Sequence, residues 1–185
     1  MEFILFYAMI VTVSLGYPAV SPEVLSQTPY ELSSYKRTQC QTNANTLIQI
    51  QCDSNSENNT CNATCDGNGV DTTVTRLTLF SGNSENGERQ VCIESFNGHI
   101  LNVSDSGRVI LQPPQGRSCN DNGMVFPFLW SAVRINEDDL FFFIHKSTKM
   151  MLVCSCESNS LTLKKINTKQ LATNPTPLFI PIRLT

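Results

Sequence analysis

QVCIESFNGHILNVSDSGRVILQ (90–112) alternates apolar with polar residues, breaks at Asn97-Gly98, alternates again, and breaks at Asp105-Ser106-Gly107 before a third apolar run. Period-two alternation between Gly- and Asn-bearing turns marks short, half-buried strands joined by tight hairpins. An apolar strand, FPFLW (126–130), follows. The same order then returns: FFFIHK (141–146), MMLVC (150–154), the turn ESNSL (157–161) and PLFIPI (177–182). Ile93, Leu101 and Phe128 stand 51 residues before Ile144, Leu152 and Phe179.

A fainter copy precedes these two. LIQIQC (47–52) opens it, DGNGV (66–70) matches the turns DSGRV (105–109) and ESNSL (157–161), and TRLTLF (75–80) closes it. Its middle is taken by the cysteine-rich loop CDSNSENNTCNATC (52–65). Gly67, Gly69, Gly107, Asn68 and Asn159 supply residues that tolerate positive φ in such turns. Three units of ~45–50 residues, near 40–87, 88–138 and 139–185, hold about ten short strands and no sustained helical period. The pattern predicts an all-β chain folded as a disulfide-stapled β-trefoil, in which six strands close a barrel and three hairpins cap one end.

Two segments resemble known families. NGHILNVSDSGRV (97–109) is similar to a hairpin of the fibroblast growth factors, and MMLVCSCESNSLTLKKI (150–166) with LFIPI to the late hairpin and closing strand of the interleukin-1 family. Both families are β-trefoil cytokines, so the resemblance implies a secreted signalling ligand that binds a cell-surface receptor. The spacing Cys61-x-x-x-Cys65, Cys92, Cys154-x-Cys156 also suggests an alternative, a cystine-knot growth-factor fold.

Export is expected independently of the fold. Residues 1–16 carry an apolar run, EFILFYAMIVTVSL (2–15), too short for a membrane span and read as a signal peptide. Residues 17–37 hold Pro18, Pro22 and Pro29, lack cysteine, and end in Lys36-Arg37; they read as a pro-segment or flexible arm with a dibasic processing site. The remaining 38–185 is a single domain. All eight cysteines, Cys40, Cys52, Cys61, Cys65, Cys92, Cys119, Cys154 and Cys156, follow the signal, and an even count in an oxidising compartment predicts disulfides of open connectivity. Asn58, Asn62 and Asn102 head N-glycosylation sequons.

Catalysis finds little support in the residues. His99 and His145 each lack a metal partner at ligand spacing, and no nucleophile elbow, phosphate loop or dinucleotide fingerprint occurs. No enzyme activity, metal or cofactor is expected. Charge is uneven: residues 38–138 hold 5 basic and 11 acidic side chains, whereas 139–185 hold 6 basic and 2 acidic. Lys146, Lys149, Lys164, Lys165 and Lys169 all fall in the third unit and predict a basic face for an acidic receptor or a sulfated glycan. An exported, net acidic chain is not expected to bind nucleic acid. A secreted trefoil lectin or protease inhibitor is the alternative, with Arg108 or Arg117 as the residue offered to a trypsin-like enzyme. Trp130 is the only tryptophan, so the Gln-x-Trp motif that many trefoil lectins repeat in each unit is absent.

Overall fold

The computed structural model describes residues 28–35, 46–52, 61–83, 86–113, 116, 118–121, 126–135, 138–155, 157–171, 173 and 176–184. The signal segment, Lys36, Arg37, Cys40, Asn58, Arg117 and Cys156 lie outside the described residues. Among those described, twelve strands fall into three sets of four. The first set is β1 (Thr28–Ser34), β2 (Leu47–Cys52), β3 (Cys61–Gly67) and β4 (Leu77–Asn83). The second is β5 (Arg89–Ser95), β6 (Ile100–Val103), β7 (Val109–Gln112) and β8 (Phe128–Ile135). The third is β9 (Asp138–His145), β10 (Met151–Cys154), β11 (Leu161–Lys164) and β12 (Phe179–Arg183).

The first and last strand of every set build the barrel. β1 pairs with β4, β4 with β5, β5 with β8, β8 with β9, β9 with β12, and β12 returns to β1, all antiparallel. This ring leaves no barrel edge for another chain to join. The middle strands form three hairpins, β2–β3, β6–β7 and β10–β11, at one end. The fold is the β-trefoil expected from the repeat. Alternation sends Leu32, Leu79, Ile93, Phe128, Phe141, Phe143 and Phe179 into one core, where none is more than 1% exposed. Full burial of each such side chain contributes about 1.5–3 kcal/mol.

The structure corrects the sequence reading in four places. Residues 28–34 are not a flexible arm. They form β1, which pairs with β12 over five residues and buries Tyr30 and Leu32. Glu31, also buried, accepts a hydrogen bond from the Thr75 hydroxyl in the single helical turn α1 (Thr72–Thr75). The first unit therefore starts near residue 28, and a chain beginning at Thr38 would lack a barrel strand.

The first unit was also read one strand out of step. LIQIQC is β2, the partner in kind of β6 and β10, not of β5 and β9. DGNGV spans the end of β3 and the turn beyond it, whereas DSGRV and ESNSL connect β6 to β7 and β10 to β11. The 51-residue offset holds for Leu101/Leu152 and Phe128/Phe179 but not for Ile93, whose counterpart in the core is Phe143; Ile144 faces the outer side. The β5–β6 turn (Phe96–His99) is one residue shorter than the β9–β10 turn (Lys146–Met150), which shifts the phase between them.

The cystine-knot alternative fails on pairing. Cys61 bonds to Cys52, Cys65 to Cys154 and Cys92 to Cys119. Two bonds stay within a unit, and the third joins the first and third hairpins. Leu32→Ala tests the placement of β1. Removing a fully buried leucine costs about 2–5 kcal/mol, so urea denaturation should show a loss in that range; a loss under about 0.5 kcal/mol, typical of surface sites, would remove β1 from the core.

Candidate functional site

The three hairpins converge on a pocket of about 460 Å³. β2 and β3 contribute Gln51, Asn62, Ala63 and Thr64; the β6–β7 turn contributes Gly107, Arg108 and Val109; the third hairpin contributes Ser158, Ser160, Leu161, Thr162 and Leu163. Several contacts hold the walls together. Cys61 lies opposite Leu111 of β7, Thr64 bridges to Ser160, the Cys65 amide donates to the Asn159 carbonyl at 2.7 Å, and Cys65 bonds to Cys154. Two left-handed residues shape the turns: Gly107 at φ 79° and Asn159 at φ 56°. Both were expected from the sequence to carry positive φ, since a hairpin's right-handed twist favours that conformation there.

The chemistry of the lining is hydroxyl-rich. Thr64 Oγ1 and Thr162 Oγ1 are shut off from solvent and have no hydrogen-bond partner among the described residues. Each such group carries a desolvation cost of about 1–3 kcal/mol unless something fills its place. Among the described residues, Arg108 is the only charged side chain on the lining, and it is exposed. Its backbone is spent within the turn: its carbonyl accepts from the Ser104 amide at 2.9 Å, and its amide donates to Ser104 Oγ at 3.2 Å. Sequence reasoning missed Gln51, Thr64, Ser160 and Thr162, because polar residues drawn from the first and third hairpins make no local motif.

The other expected site residues are dispersed. Asn62 is exposed on the pocket's rim, whereas Asn102 is half-buried and its Nδ2 donates to Gln112 Oε1 at 3.0 Å. The lysines lie away from the pocket, toward the base of the third hairpin rather than its tip. Lys164 faces Met151 across β10–β11, two residues beyond Lys149, and Lys165 follows it. Lys169 sits on the 3-10 turn Thr168–Gln170, and Lys146 turns aside to donate to Gln90 Oε1 at 2.8 Å. Trp130 is 3% exposed, edge-on to Phe141 at 5.4 Å, with the Arg89 guanidinium over its ring at 5.3 Å. It fills the barrel and offers no stacking platform.

No protein-family model matches the chain, and no curated protein matches it in sequence. Solved structures resemble it in fold. The GlcNAcα1-4Gal-releasing endo-β-galactosidase of Clostridium perfringens matches at 10% identity and TM-score 0.55, over 85% of this chain but 33% of its own. The chain thus spans about a third of that enzyme's length. A proteinase inhibitor from Coprinopsis cinerea matches at 10% identity and TM-score 0.53, over 86% and 99% of the two chains. SeviL, solved bound to asialo-GM1 saccharide, matches at 12% identity and TM-score 0.51, over 86% and 100%. At these identities the likeness shows the fold alone, and none of the three is described as a cytokine. Among the described residues, no helix is long and apolar enough to cross a membrane.

Lys149 takes φ 57° at the place in the third unit that Gly98, at φ 81°, fills in the second. A left-handed lysine costs about 1 kcal/mol relative to glycine. Lys149→Gly should therefore raise stability by about 0.5–1 kcal/mol in urea denaturation. His145 is buried against Phe128, its Nδ1 lies 3.0 Å from Thr148 Oγ1, and burial pulls its pKa below the ordinary 6.5. The unfolded chain then takes up a proton near pH 6.5 that the folded protein binds only at lower pH. This contribution to stability is complete above 6.5 and is lost as pH falls below it. His145→Gln should flatten the stability difference measured between about pH 7.5 and 5.5; an unchanged slope would assign the acid sensitivity elsewhere.

Proposed function

We propose that the chain is an exported, non-catalytic binding protein whose ligand is a saccharide seated in the pocket between the three hairpins. The observation that carries this is a cavity of about 460 Å³ between the three hairpins whose lining gathers Gln51, Asn62, Arg108 and the hydroxyl-bearing Thr64, Ser158, Ser160 and Thr162. Ligand pockets run from roughly 300 to 1,000 Å³, and convergent polar groups set their specificity. A polyol presents donors and acceptors to every wall at once, which a peptide side chain does not. SeviL supports the reading, since a trefoil of the same extent holds a saccharide. Arg108 favours a sugar bearing a carboxylate or sulfate.

The inhibitor alternative, supported by the proteinase-inhibitor likeness, loses one of its two candidate residues. A protease takes its substrate as an extended strand and bonds the backbone, but both backbone groups of Arg108 are engaged within its turn. The receptor-ligand reading keeps one supporting observation, the lysines gathered on the third unit, and places the partner on a surface separate from the pocket. A sulfated glycan or an acidic receptor patch suits that surface.

A glycan array tests the proposal. Gln51→Ala and Ser160→Ala each remove a polar group of the lining, worth about 1–1.5 kcal/mol when hydrogen-bonded, and should weaken binding roughly tenfold. Arg108→Ala should weaken acidic glycans by about 10–100-fold and leave neutral ones nearly unchanged. Absence of binding across the array would overturn the saccharide reading.

A further inference from the structure

The sequon Asn62-Ala63-Thr64 lies directly between two half-cystines, Cys61 and Cys65. We propose that Asn62 is a modification site open only before oxidative folding, and that the glycan it receives closes the pocket, so that the protein exists in an open and a closed form. The timing half rests on the export expected from the sequence, and the occlusion half rests also on the saccharide reading above.

Timing follows from how the segment is held. Cys61 is bonded to Cys52 on β2, and Cys65 to Cys154 on β10. Asn62 and Thr64 pair with Gln51 and Gln49 on one side, while Thr64 bridges to Ser160 on the other. Ala63 is 4% exposed and Thr64 Oγ1 is shut off from solvent. A glycosyltransferase must engage both the Asn62 amide and the Thr64 hydroxyl on a free, extended segment, which the folded hairpins do not offer. In the reaction, Asn62 Nδ2 forms a bond to the anomeric carbon of a polyprenyl-pyrophosphate oligosaccharide. The bond from that carbon to the pyrophosphate oxygen breaks, the lipid pyrophosphate leaves, and the amide gives up one proton. Closure of Cys65–Cys154 then passes two electrons and two protons to an oxidised dithiol oxidoreductase. If closure comes first, the sequon stays empty.

Occlusion follows from position. Asn62 is exposed at the rim and is itself part of the lining, so the folded protein tolerates its glycan sterically. A tethered saccharide meets its own pocket at an effective concentration on the order of millimolar or above, and a free ligand must displace it. The tethered sugar would then lie against Gln51, Arg108 and Ser160 of the lining.

Two measurements test the two halves. Site-resolved glycopeptide mass spectrometry of the chain secreted from eukaryotic cells reads occupancy at Asn62. It should be partial in the wild type and rise several-fold both under a reductant pulse during synthesis and in the Cys65→Ser/Cys154→Ser variant. The pulse covers the case in which that variant fails to be secreted. Occupancy that is the same in all conditions, whether zero, partial or complete, overturns the timing. For occlusion, wild-type glycoforms assigned by the same method are compared on a glycan array, with the occupied form trimmed by endoglycosidase to its innermost sugar. The empty form should bind, the occupied form should bind at least roughly tenfold more weakly, and trimming should recover binding. Equal binding by both overturns the gate and leaves the saccharide reading intact. Binding by neither overturns the saccharide reading and the occlusion with it, while occupancy still decides the timing.

Discussion

Barrel closure runs through one seven-residue strand, β1. Without it, β4 and β12 would each present an unpaired edge, and the core would lose Tyr30 and Leu32. A sheet of this curvature is stable only as a ring, because the ring satisfies every backbone donor and acceptor along its edges. Once it is closed, the strand ends at one rim are fixed in space, and the three hairpins have nowhere to go but across that rim. The pocket is a consequence of this: three hairpins from distant parts of the chain meet because the barrel beneath them leaves a shared opening.

Hairpin tips bury little and gain little from the core, so the cap needs other bonds. Cys65–Cys154 supplies one between hairpins 89 residues apart in sequence. Closing a loop of that length stabilises by about 4–5 kcal/mol in the chain-entropy account. Backbone contacts from Thr64 to Ser160 and from Cys65 to Asn159 then set the spacing of the walls. The same covalent bracing that pre-organises the pocket also locks the sequon on its rim.

The two surfaces that sequence and structure bring out differ in kind. The pocket is small, hydroxylated and shared among three units, which suits a compact polar ligand. The lysines of the third unit are spread over its turns and strand ends, and Lys149 is left-handed where its counterpart is a glycine. Trp130, the one residue a lectin reading would have reached for, is committed to the barrel core beside Phe141. Aromatic content alone therefore says nothing about recognition here; position in the ring decides it.

Local patterning by itself determined the fold class. Alternation in QVCIES and FFFIHK, glycine or asparagine at the turn apices, and recurrence of whole units depend on neighbours in sequence, so the chain spells them out. It spelled out the second and third units well and the first poorly, for a physical reason. β1, TPYELSS, contains Pro29, follows Pro18 and Pro22, and lacks a strong alternating run, and it is a strand because β4 and β12 demand a partner. Without that anchor LIQIQC was aligned one strand too early. Only the tertiary structure decided which cysteines pair, which of the repeated turns meet, and that Thr64, Arg108 and Thr162 share one cavity. Thr64 lies 44 residues before Arg108, and Arg108 54 before Thr162, and no local preference encodes a distance that exists only after the ring has closed.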